Sequence, residues 1–139
     1  MAHFAKLNSS GVVIDVLVIA DSDCLDADNN ESEVVGIAFC KSLFGDDTIW
    51  KQTSYNHNMR KQYACIGGAY DASANEFVCI QPAASWTLDS DNDWQPPIAL
   101  PSDAGEIVNA AGISEEQKVY DWDEDAYQAD NSTGWVLRE

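Results

Sequence analysis

The sequence is short of positive charge. Its 139 residues hold 7 Lys and Arg against 24 Asp and Glu, a formal charge of −17. Nucleic acids and anionic membranes are gripped by basic faces that neutralise phosphate, so neither is an expected partner. No run of 18 apolar residues occurs, and no transmembrane helix is expected. The opening Met1-Ala2-His3-Phe4-Ala5-Lys6 lacks a long apolar stretch, so no signal peptide is expected. Histidine is scarce, with His3 in an opening strand and His57 in an Asn-flanked turn. A Cys65–His57 pair is conceivable, but nothing local supports it. The GxGxxG, P-loop, GxSxG and HExxH patterns are all missing. With 24 acids, no particular pair of carboxylates stands out for glycoside hydrolysis. The expectation is a non-enzyme without a cofactor. The four cysteines, Cys24, Cys40, Cys65 and Cys79, form no CxxC pair, which argues against a zinc ribbon or a redox motif. Without a secretion signal, free thiols are the default.

What is present is an ordinary apolar fraction, 45%, and five Trp. That suits one domain with a real core, or one domain plus an appendage. The charge is uneven. Residues 1–70 carry a net −4 and residues 71–139 a net −13.

Two strands, residues 2–7 and 12–20, flank the turn Asn8-Ser9-Ser10-Gly11 and predict a hairpin. The second strand is apolar on both faces and reads as central and buried. A helix fits residues 31–44, with Asn30 as cap, Glu33 completing a capping box and Gly45 as the stop. Its apolar face is Val34, Val35, Ala38, Phe39, Ser42 and Leu43, with Cys40 as core. Residues 48–55 read as a strand, and residues 60–69 as an extended segment leading into a second hairpin that returns at 77–80. If Tyr70 faces Phe77, Cys79 opposes Gly68 and Cys65 opposes Pro82. The two thiols then lie on opposite faces and a bond between them is disfavoured, unless a bulge intervenes.

The last third repeats one plan: an aromatic strand, an Asp-rich turn, a returning aromatic. Trp86 with Trp94, and Trp122 with Trp135, follow it, with a linker over residues 98–112 and a helical turn at 114–116 between them. Three readings apply to these aromatics. They are cross-strand pairs covering small hairpins, anchors of a protein interface, or platforms for sugar rings. Trp86, Trp94, Tyr120, Trp122 and Trp135 are the candidate interface residues. Asp26, Asp28 and Asn30 take positions 1, 3 and 5 of a calcium loop, but Glu31 and Ile37 occupy positions that need Gly and Glu. Solvated turns are the preferred reading of such acids, and no metal site is assigned. Lys51, Arg60 and Lys61 form a basic cluster for a neighbouring copy or for solvent.

A resemblance adds to this reading. The opening Met1-Ala2-His3-Phe4-Ala5-Lys6-Leu7, Glu33-Val34-Val35-Gly36-Ile37-Ala38-Phe39-Cys40 and Trp50-Lys51-Gln52-Thr53-Ser54-Tyr55-Asn56 resemble small proteins of marine tailed phages, chiefly cyanophages. So do Arg60-Lys61-Gln62-Tyr63-Ala64, Tyr70-Asp71, Ser85-Trp86-Thr87-Leu88-Asp89 and Tyr120-Asp121-Trp122-Asp123-Glu124-Asp125. Cys65, Gly68 and the loop between Trp122 and Trp135 depart from that pattern. The resemblance implies a virion component rather than an enzyme. The combined expectation is a β-rich α+β protein: residues 1–82 an antiparallel sheet with one packed helix, residues 83–139 an acidic arm of aromatic hairpins. The expected role is structural, in the virion, as a capsid decoration or cement protein. A tail, fibre or baseplate component and a carbohydrate-binding module are the alternatives. Expected partners are major capsid or tail proteins, with self-association.

Overall fold

The computed structural model describes residues 1–106 and 117–138. The expected helical turn at 114–116 and the end of the expected linker lie outside them. The fold is α+β and mostly strands and loops, with antiparallel sheets and one main helix, as the sequence predicts. Two compact units divide it, Met1–Ile80 and Gln81–Glu139.

The first unit is built on a sheet ordered β2-β1-β3, with β1 at Ala2–Leu7, β2 at Val13–Ile19 and β3 at Ile49–Thr53. The expected hairpin forms, but the burial expected of its second strand does not. β1 is central, with Phe4 and Ala5 fully buried, while β2 is an edge strand exposing Ile14 and Val18. A local apolar run cannot report its neighbours. The centre is decided by the pairing of β1 with β3, more than forty residues on. A register shift at Lys6/Leu7 also leaves Ile14 without a partner in β1, and such a bulge blunts an edge.

Alternation along β1 feeds two cores. Ala2 and Phe4 join Ile19, Cys24, Cys40 and Trp50 on one face, and Ala5 and Leu7 join Val13, Ala64 and Phe77 on the other. Helix α1, Glu33–Phe44, contributes Cys40 to the first core and ends at Gly45, whose N–H bonds Lys41 O. Its cap is Ser32, not Asn30, whose carbonyl instead accepts Asp26 N–H. The buried stripe is also rotated from the expected one. Gly36 and Cys40 are buried while Val34 and Leu43 are exposed. Gly36 explains this, because a Cβ there would sit 2.2 Å from Phe4 Cζ and 3.0 Å from Cys24 Sγ. The helix seats on its glycine, which a count of bulky residues passes over.

Glu33 has a different task from the expected capping box. Its Oε2 accepts the backbone N–H of Gln52 at 2.7 Å and pairs with Arg60 Nη1, which also donates to Gln52 O at 2.8 Å. The pair satisfies the outer edge of β3 at that residue, as a strand would. Arg60 and Lys61 both hold left-handed backbone, φ 51° and 73°, so residues 60–68 turn rather than extend. Arg60 is thus engaged within the fold, and Lys51 Nζ stands 5.2 Å from the Tyr70 ring centre. The second hairpin, β4 at Ala69–Asp71 and β5 at Glu76–Val78, has Tyr70 opposite Phe77 as expected.

One turn design recurs at Asn8, Asp26 and Asp89. Each side-chain Oδ1 accepts the N–H groups two and four residues on, at 2.8–3.0 Å. The residue three on, Gly11, Asn29 or Asn92, is left-handed. At each of these turns the Oδ1 that could face a cation faces its own backbone. Among the described residues, no group of three or more His, Cys, Asp and Glu side chains converges on a point.

Candidate functional site

The second unit brings three of the five candidate interface residues together. Strands β8, Tyr120–Trp122, and β9, Trp135–Leu137, pair so that Trp122 faces Trp135 and Tyr120 faces Leu137. Side chains alternate across a strand, so these four share one face of the hairpin. The Trp122 and Trp135 rings meet edge-on at 5.2 Å, and Trp86 packs on both at 6.0 Å. Such edge contacts contribute about 0.5–1.5 kcal/mol each beyond burial. All three tryptophans remain half-buried, so the cluster is both the unit's small core and part of its surface.

Tyr120 and Trp94 stand outside this triad. Tyr120 Oη donates to Asp103 at 2.9 Å, and Lys118 Nζ reaches the same carboxylate at 2.8 Å. Lys118 holds that carboxyl below its usual range. Trp94 lies in a separate hairpin of two-residue strands, β6, Thr87–Leu88, and β7, Trp94–Gln95, where it pairs with Leu88 across the Asp89 turn.

Several supporting residues carried no sequence signal. Glu124 Oε1 accepts from Ser85 Oγ at 2.5 Å and Trp122 Nε1 at 2.9 Å, while Oε2 accepts from Gln128 at 2.8 Å. These donors, Ser85 first, hold its carboxyl down at about 2. Glu124 opens a short helix α2, Glu124–Ala129, capped by Asp123, where a loop was expected. The Asp123 carboxylate accepting Ala126 N–H is the cap signature that the acidic run concealed. Gly134 lies flat under Trp122, since a Cβ there would meet the indole at 2.4 Å. Trp135 Nε1 donates to Ile98 O at 2.8 Å, whereas Trp86 Nε1 is buried with no acceptor among the described residues.

In the first unit an open cleft of about 280 Å³ lies at the edge of the sheet, lined by His3, Glu31, Gln52, Tyr55 and Asn58 among others. His3 stacks on Tyr55 at 5.9 Å, and Tyr63 closes on both edge-on. The conceived Cys65–His57 pair is not made; His57 Nδ1 accepts Tyr63 N–H and the Cys65 thiol lies against Cys79. Among the described residues, no helix is long and apolar enough to cross a membrane.

Comparisons with protein-family models, curated proteins and solved structures return no match to this chain.

Proposed function

We propose that the chain is a non-enzymatic structural protein of a tailed-phage particle, acting through protein–protein contacts as a capsid decoration or cement component. The observation that carries the contact role is the single face of the β8–β9 hairpin shared by Tyr120, Trp122, Trp135 and Leu137. It joins half-buried aromatic rings to an exposed leucine in a unit rich in acid. Aromatic anchors inside a polar rim are the usual anatomy of a protein interface. The resemblance to marine phage proteins supplies the particle. The partner surface this face fits is apolar at its centre and basic at its rim.

Co-sedimentation with purified particles tests this. The chain should travel with particles at low salt and be released as salt rises. Leu137→Glu, at an exposed position, should weaken binding at least tenfold while leaving the circular dichroism unchanged. A chain that stays in the supernatant at every salt refutes the proposal. Binding to isolated tails but not to heads moves the role to the tail, and binding to cell-surface polysaccharide alone moves it to carbohydrate.

A further inference from the structure

Cys65 and Cys79 are both exposed, in the first unit, and neither belongs to the face just described. Extending the β4–β5 ladder outward places Gly68 opposite Cys79. The chain does not continue straight from there. Gly68 N–H bonds Cys65 O at 2.9 Å and Gly67 is left-handed at φ 92°, so residues 65–68 close a tight turn. That turn folds Cys65 back beside Gly68, and so beside Cys79. The packing around it agrees. A Cβ on Gly68 would meet Val78 O at 2.5 Å, and one on Gly67 would meet Ile80 Cδ1 at 3.4 Å. The turn therefore lies on the two residues that flank Cys79, which brings Cys65 and Cys79 to neighbouring positions. The expectation that these thiols lie on opposite faces fails because it carried strand alternation through a turn.

We propose that Cys65 and Cys79 are a modification site, a dithiol that is reversibly oxidised to an intramolecular disulfide by exchange with a small-molecule disulfide such as oxidised glutathione. The exchange balances in two steps. The Cys79 thiol loses its proton and its sulfur attacks one sulfur of the oxidant, which breaks the oxidant's S–S bond and releases one thiol. The Cys65 sulfur, deprotonated in turn, attacks Cys79 Sγ in the mixed disulfide and releases the second thiol. Two cysteine thiols are oxidised and one small disulfide is reduced to two thiols. Cys24 and Cys40 are buried in the core and are not available to the oxidant.

The bond would close the loop that carries Phe77 into the second core, beginning one residue after Ala64 of the same cluster. A loop of about fifteen residues predicts a rise in Tm on the order of 10 °C for this unit. The test treats the native chain with oxidised glutathione and maps peptides without reduction. A monomer lighter by two hydrogens, with a Cys65–Cys79 linkage, a raised Tm and reversal by dithiothreitol, is the expected result. In Cys65→Ser the linkage should vanish and a stable glutathione adduct should appear on Cys79. Stable adducts on both cysteines of the unaltered chain, linkage only between chains, or an unmodified protein overturns the proposal.

Discussion

Replacing Gly36 by alanine tests how α1 is seated. In an unconstrained helix the change should stabilise, by about 0.5–1 kcal/mol, because glycine loses more backbone freedom. Here the added methyl would lie 2.2 Å from Phe4 Cζ and 2.7 Å from Cε2, with Cys24 Sγ at 3.0 Å. Carbon atoms rest about 3.5–4.0 Å apart, so helix and ring must separate by more than about 1 Å. Phe4 is fully buried and in the central strand, so its ring has nowhere to swing. Overpacking of this kind costs about 1–3 kcal/mol. Opposing the propensity gain, it leaves Gly36→Ala less stable by about 1–2 kcal/mol. Urea unfolding followed by helix circular dichroism measures it, with Val34→Ala, at an exposed helical position, as the control. A smaller partner should rescue the variant. Phe4→Leu should cost less in the alanine background than alone, with a coupling near 1 kcal/mol. A Gly36→Ala chain as stable as the parent, or a pair of changes that simply add, would refute the seating.

The edge clamp predicts a pH dependence. Arg60 holds the Glu33 carboxyl below its ordinary value, so its contribution is complete above about pH 5 and is lost as pH falls through the folded value. Glu33→Gln should therefore cost about 1–3 kcal/mol at pH 7, a gap that closes in acid; a gap that ignores pH contradicts the clamp. Glu124, held at about 2, should keep the tryptophan cluster of the second unit intact well below pH 4.5. Tryptophan fluorescence should shift only as pH approaches 2, and Glu124→Gln should remove that step; a transition centred near 4.5 in the unaltered chain would contradict the network.

Local signals were legible and distant ones were not. The first hairpin turn, Gly45 as helix stop and Tyr70 opposite Phe77 all follow from neighbouring residues. The errors lie where a partner far along the chain decides. β2 reads as central from its composition, which cannot reveal that β3 pairs with β1. Glu33 reads locally as a capping residue, whereas its partner Arg60 is 27 positions away. The aromatic site was half legible. The cross-strand pairing of Trp122 and Trp135 follows from the hairpin pattern, but Trp86 reaches them from outside that hairpin. Gly134 and Glu124, which hold Trp122 in place, offered one glycine among eight and one acid among 24.

The three matched turns carry a consequence for the chain's electrical field. Asn8 performs with a neutral amide what Asp26 and Asp89 perform with a carboxylate, since only Oδ1 is needed to accept the two backbone N–H groups. For those two bonds the fold asks for an oxygen and is indifferent to its charge, although Asp89 Oδ2 also accepts from Gln95 Nε2 at 2.9 Å. Asp26→Asn would lower the negative charge at its turn while keeping the same loop. Shape and long-range attraction are thus independent variables at that turn, and a partner's dependence on each can be measured one at a time.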